Sequence, residues 1–246
     1  MKLKILGSGS SGNCYILESK EETLILEAGL TYKKIQEGLN YDTRKVKGCL
    51  ISHEHGDHSK AVKDLIKNGI DIYMSNGTIK ALELEEGHRV NSLAPGRLEE
   101  VGGFKVLPFD TKHDALEPLG FLVQHKEMGK LLFITDSYYS KYRFKDVDHM
   151  LVECNYKKSI LKENVNSGII TNWLGERIMK SHFELDNVKE FLKTSDLDKT
   201  KNIVLIHLSS QNSDRKLFKE EIERATGRQT FIAKQGLEID ISKELF

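Results

Sequence analysis

Apolar residues in this chain gather in short runs bounded by glycine or by charged clusters, a pattern that favours strands. Such runs predict strands over 2–6, 13–18, 23–27 and 46–52, then over 70–74, 88–93, 97–101 and 104–109. A hairpin is predicted from 120–125 and 130–135 about the turn Glu127-Met128-Gly129. Later runs at 149–155, 202–206, 229–233 and 237–241 complete the strands. Helical periodicity marks 31–38, 77–85, 157–164, 172–180 and 214–225, and a further amphipathic helix runs through Val188, Phe191 and Leu192. Ala61, Val62, Leu65 and Ile66 predict another helix, capped by Ser59. In the helix over 172–180, Trp173 and Ile178 are assigned to the buried face.

Composition narrows the class. No Pro/Gly/Ser-rich linker divides the 246 residues, so 1–246 read as one domain. The 37 basic and 37 acidic residues balance to zero, which supplies no overall field for a long polyanion but leaves a local patch open. Cys14, Cys49 and Cys154 lack CxxC spacing and lie in apolar runs, as reduced core residues of a cytosolic protein would. The opening Met1 to Leu6 runs into glycine and serine too early for a signal segment, and no apolar run approaches the roughly 18 residues of a membrane span. A soluble, cytoplasmic protein without a membrane partner is the expectation.

The densest chemistry lies in His53-Glu54-His55-Gly56-Asp57-His58. Histidines at i, i+2 project the same way from an extended strand end, and Asp57-His58 face back across a turn that Gly56 would permit. The strand before the loop and the helix after it anchor both ends. Burying such a cluster without coordination would leave polar groups unpaired, so the reading is a metal loop.

Other polar residues of metal-binding type recur where apolar strands end: His113 after 104–109, Asp136 after 130–135 and His207 after 202–206. Glu153 is the acid of the strand over 149–155. Glu27, also at a strand end, either orients a ligating histidine or caps the next helix. His182 lies between helices with no strand to pin it, which suits a proton donor rather than a primary ligand. His88 is expected at the surface, His125 solvated at the hairpin turn, and His149 structural.

The letters Gly7-Ser8-Gly9-Ser10-Ser11-Gly12 match a dinucleotide-binding fingerprint, but the next residues, Asn13 to Glu18, are β-rich rather than helical. The glycines are instead expected to let backbone approach the metal loop.

His53-x-His55-x-Asp57-His58 resembles the HxHxDH motif of the metallo-β-lactamase superfamily, and the resemblance continues in order through His113, Asp136 and His207. It implies an α/β fold, a single-domain four-layer αββα sandwich of two mixed sheets. It also implies two zinc ions per chain, with manganese or iron as alternatives: His53, His55 and His113 on one, Asp57, His58 and His207 on the other, Asp136 bridging. Where the family usually has Asp, this chain has Glu27.

Asp rather than Cys as the bridge is similar to the phosphodiesterase branch. The glycine-rich opening, His113-Asp114-Ala115, Pro118-Leu119-Gly120-Phe121 and Glu153-Cys154-Asn155-Tyr156 resemble both the YycJ-type hydrolases and the phage anti-Pycsar proteins. Ser181-His182 and His207-Leu208-Ser209-Ser210 also resemble tRNase Z, whose long basic arm has no counterpart here. With zero net charge, the first expectation is hydrolysis of a small 3′,5′-cyclic nucleotide to the monophosphate by a homodimer, as phage counter-defence in the host cytoplasm. The alternatives are a YycJ-like DNA nuclease and a tRNase Z-like RNA nuclease. Asp57, His182 and Glu153 are the catalytic candidates, His182 protonating the departing sugar oxygen with Glu153 orienting it.

Overall fold

The computed structural model describes residues 1–85 and 87–243. Strands β1 (Lys2–Gly7), β2 (Cys14–Glu18) and β3 (Thr23–Leu26) precede α1 (Tyr32–Gly38), β4 (Val46–Leu50), α2 (Gly56–Ser59) and α3 (Val62–Lys67). Then come β5 (Ile72–Ser75), α4 (Asn76–Ala81), β6 (Val90–Leu93), β7 (Glu99–Val101), β8 (Phe104–Asp110) and β9 (Leu119–His125). The remainder is β10 (Gly129–Ile134), β11 (His149–Glu153), α5 (Lys158–Asn166), α6 (Asn172–Ser181), α7 (Leu185–Lys193), β12 (Asn202–Ile206), α8 (Arg215–Thr226), β13 (Gln229–Ile232) and β14 (Glu238–Asp240).

These strands form two seven-stranded sheets, ordered β14-β1-β2-β3-β4-β5-β6 and β13-β12-β11-β10-β9-β8-β7. Both are mixed, as expected. Pairing is antiparallel from β14 to β3 and from β7 to β9, and parallel from β3 to β6 and from β10 to β13. Two compact units partition the chain: Met1–Asp110, Ala115–Lys130 and the chain from Lys234 onward form the first, Thr111–Asp114 and Leu131–Ala233 the second.

In the first unit, the period-two alternation of strands splits the apolar residues between two faces. Cys14, Ile16, Ile25, Cys49, Ile51 and Ile72 join Ile35, Val62 and Leu65 of α1 and α3 in one core. The alternate residues Tyr15, Leu17, Leu24 and Leu26 are buried as well, so β2 and β3 are covered on both faces. Glu22, at the β2–β3 turn, accepts a 2.7 Å hydrogen bond from Gly103 at the β7–β8 turn. In the second unit, α5 and α6 share a small core of Tyr156, Leu161 and Ile170, with Ile178 packed against it.

Several local expectations are corrected. The helix predicted over 77–85 is α4 and stops at Ala81: Glu83 turns left-handed (φ 52°) and the Leu84 N–H bonds back to the Ile79 carbonyl. Ser59 caps nothing. It closes α2, its hydroxyl donating to the carbonyls of Glu54 and His55, and α3 starts from Ala61. Gly56 permits no special turn, because it begins α2 with open space where a Cβ would stand.

Trp173 is 70% exposed, unlike Ile178. Five residues along a helix rotate the side chain by roughly 140° to the other side, so the two could not share a face. His125 is buried, not solvated. It continues the inward series Phe121, Val123 of β9, and its Nε2 lies 3.0 Å from Glu22 Oε1 with its ring 4.6 Å from Phe104.

His88 is exposed and His149 buried in β11, as expected. The three cysteines are free and buried, and burial pushes their thiols up. No helix among the described residues is long and apolar enough to cross a membrane.

Candidate metal centre

Parallel neighbours end at the same edge of a sheet, so β3 and β4 deliver Glu27 and Ser52-His53 side by side. The Glu27 carboxylate is wholly buried. Its Oε1 accepts from the Ser52 N–H at 3.1 Å and its Oε2 lies 3.3 Å from His58 Nδ1. Of the two roles open to Glu27, the geometry favours the one beside a histidine: α1 starts from Thr31, while His58 turns Nδ1 toward Glu27 and Nε2 toward Asp57 Oδ2 at 3.4 Å. Burial raises the Glu27 pKa, and His58 and Ser52 partly offset that rise.

His53 is held in the same way. Its Nδ1 is 2.8 Å from the Ser52 hydroxyl, leaving Nε2 only 3.1 Å from His55 Nδ1. The glycine-rich segment reaches this loop as expected, through the residue just after it. Asn13 N–H donates to the Asp57 carbonyl (2.8 Å), Asn13 Nδ2 lies 3.2 Å from His58 Nε2, and Asn13 Oδ1 accepts from Gly9 N–H.

The second unit repeats the device. β10, β11 and β12 are successive parallel neighbours, and Asp136, Glu153 and His207 stand at their C-terminal ends. One ligand-type atom from each of Asp136, Glu153, His182 and His207 lies within 4.8 Å of the others. His113 joins them: its Nδ1 faces the Ser181 carbonyl (2.9 Å) and its Nε2 lies 3.6 Å from Asp136 Oδ2. Burial lowers the His113 pKa, which favours the neutral imidazole a metal requires.

Glu153 is the hub of this cluster. Oε1 pairs with His182 Nδ1 at 2.6 Å and lies 3.3 Å from His207 Nδ1, while Oε2 accepts from the N–H groups of Ser137 and Phe183. Burial alone would raise its pKa, but the facing His182 holds it below the ordinary carboxylate range. The converse holds at His182: burial works downward, and Glu153 with Asp136 leaves it above an ordinary imidazole.

Glu27, Asp136 and His207 have left-handed backbone, φ 66°, 41° and 51°. Such strain in residues other than glycine persists where surroundings over-determine it, typically at functional sites. Each is the turn that takes the chain sharply off a strand end.

Neutral imidazoles with carboxylates form the donor set of zinc and related first-row divalent cations, and the residues present fit such an ion. The first unit assembles His53, His55, Asp57 and His58; the second assembles His113, Asp136, Glu153, His182 and His207. Asn13, Ser52 and Asn155 touch these metal-type residues, and the sequence pattern assigned none of the three a role. Asn155 donates to the His207 carbonyl at 2.8 Å, with its Nδ2 3.2 Å from His207 Nδ1. The available signal was a polar side chain at or just past a strand end that carries a metal-type residue.

A beta-lactamase superfamily domain model matches residues 28–208. The chain belongs to the beta-lactamase superfamily. It is similar to the exodeoxyribonuclease WalJ of Streptococcus pneumoniae D39, 31% identical over 232 residues that cover 88% of this chain and 84% of the relative. The exodeoxyribonuclease YycJ of Bacillus anthracis is 27% identical over 257 residues, covering 97% of this chain and 94% of that one. Among solved structures, the metallo-β-lactamase fold protein YhfI of Bacillus subtilis superposes with a TM-score of 0.75 at 16% identity, covering 97% of this chain and 98% of that one. Superfamily membership makes the chain a metal-dependent hydrolase, and the fold implies a divalent cation.

Proposed function

We propose that the protein is a dinuclear zinc phosphodiesterase that degrades DNA from its ends. The observation that carries this reading is the second unit's cluster, in which Asp136, His207 and the Glu153–His182 pair meet at the ends of three parallel strands. The substrate class is supported by the two relatives named as exodeoxyribonucleases, whose similarity runs over most of the chain. They favour the DNA-nuclease expectation over the cyclic-nucleotide one.

In this reading His53, His55 and His113 would hold one ion and Asp57, His58 and His207 the other, with Asp136 available to both. When bound, the two cations supply charge neutralisation at a phosphodiester and a water acidic enough to ionise near neutral pH. Glu27, Ser52 and Asn155 orient the ligating histidines. Glu153 fixes the His182 ring, and His182 hands a proton to the departing sugar oxygen.

The test offers purified, metal-loaded protein end-labelled linear DNA, closed circular DNA, precursor tRNA and a panel of 3′,5′-cyclic nucleotides, each with and without chelator. Chelator-sensitive release of mononucleotides from linear DNA, with circles spared, is expected. Intact linear DNA beside consumed cyclic nucleotide would overturn the reading in favour of the signal-degrading one.

A further inference from the structure

Between β10 and β11 runs an irregular segment, residues 135–148, that carries an unusual interleaving: Tyr138-Tyr139-Ser140-Lys141-Tyr142-Arg143-Phe144-Lys145. Aromatic and basic side chains alternate through it, in a chain whose overall charge is zero. Tyr138 and Tyr139 are 41% and 51% exposed, and Arg143 is exposed beside them.

These residues border a cavity of about 470 Å³ that lies wholly within the second unit. Its walls include Tyr138, Tyr139, Arg143, Phe183, Asn187 and Phe191. The floor is rigid: Phe183 and Phe191 are buried, their rings 5.9 Å apart, and Phe144 meets Phe191 edge-on at 6.4 Å. Arg143 Nη1 donates to the carbonyls of Ser140 and Tyr142, which holds the guanidinium at the rim.

The cavity also starts where the proposed chemistry ends. Tyr138 and Tyr139 follow Asp136 by two and three residues, and Phe183 follows His182 directly. Ser137 ties the segment down, its N–H donating to Glu153 and its hydroxyl to the Tyr139 carbonyl. Tyr138 N–H donates to the Lys112 carbonyl, one residue before His113.

From this geometry we infer that the 135–148 segment and its cavity are a single-strand platform, which stacks a nucleobase near the cleaved end of a DNA strand and grips a phosphate through Arg143. The inference rests on the nuclease reading and names its substrate form as single-stranded. Exposed aromatics beside basic groups stack bases without regard to sequence, and a cavity of this size admits one nucleotide. Asn187, on the same wall, offers an amide to a base edge. Of the basic residues in the segment, Arg143 is the one on the cavity wall, so the phosphate contact is a single local one and needs no overall positive field.

The test measures fluorescence anisotropy of a labelled, phosphorothioate-linked oligothymidylate with the metal-loaded protein. Tyr138→Ala and Tyr139→Ala should each weaken binding by about tenfold. Tyr139→Phe, which keeps the ring, should bind as the parent does, and Arg143→Gln should weaken binding and flatten its salt dependence. Trp173→Ala, an exposed aromatic on α6, should change nothing. Parental affinity in both alanine variants and in Arg143→Gln would overturn the platform while leaving the parent's DNA degradation, and so the nuclease reading, intact. A parent that neither binds nor degrades linear DNA would overturn the nuclease reading and the platform with it.

Discussion

Glu153 is placed between two histidines by its own backbone contacts. Two backbone N–H groups fix Oε2, and Oε1 is left for the rings of His182 and His207. His182 is 19% exposed in its side chain, against none for Glu153, so the histidine is the member of the pair that can meet a substrate. His182→Ala should lower kcat by about 10²-fold or more while elemental analysis finds the metal content unchanged. If Glu153 acts on the proton transfer through His182, Glu153→Gln combined with His182→Ala should be no slower than His182→Ala alone. Additive losses in steady-state rate would instead assign Glu153 an independent role at His207.

At the scale of elements, close backbone approach and buried pairs hold the strand ends in place. Gly29 is one such point: a Cβ there would fall on the Asp57 carbonyl and crowd the Asn13 N–H, both backbone groups that cannot rotate away. Gly29→Ala should cost roughly 3 kcal/mol in a denaturant titration and weaken metal retention, because the strain is delivered to the metal loop itself. The β2–β3 turn supplies a second case. Glu22 is partly buried, which works against ionisation, but hydrogen bonds from Gly103 and His125 hold its pKa below the ordinary value. Its contribution is therefore present above the unfolded carboxylate pKa and is lost as pH falls through the lower folded one. Glu22→Gln should cost about 1–2 kcal/mol near neutral pH. The difference between parent and variant, followed by thermal melts, should shrink as the solution is acidified. A constant difference down to strongly acidic pH would contradict the pairing.

For the whole molecule, metal and stability are linked, since buried histidines and carboxylates gathered at strand ends are costly until a cation offsets their desolvation. Stripping with chelator should lower Tm by roughly 10 °C, and zinc should restore it, if the ion binds the folded state at about a thousandfold excess over its Kd. A Tm indifferent to both treatments would mean that these residues hold no ion.

The features that the chain carries locally were legible in the sequence. Short apolar runs bounded by glycine or charge located nearly every strand, and the crowding of His53 to His58 marked a metal loop, because both signals reside in neighbours along the chain. Glu153 and His182 were also named from strand ends and helix gaps, yet their 2.6 Å pairing depends on residues 29 apart and only folding could bring it about. The two misplaced side chains had one cause. His125 and Trp173 were judged by their polar or apolar neighbours, whereas burial was decided by the phase of β9 and α6 against other elements. The sequence by itself determined the strands, the reduced cysteines and the donor types. Only the tertiary structure decided which nitrogen of each histidine is held, which strand ends meet and where an aromatic wall borders a cavity, because those depend on distances across the chain that no local pattern encodes.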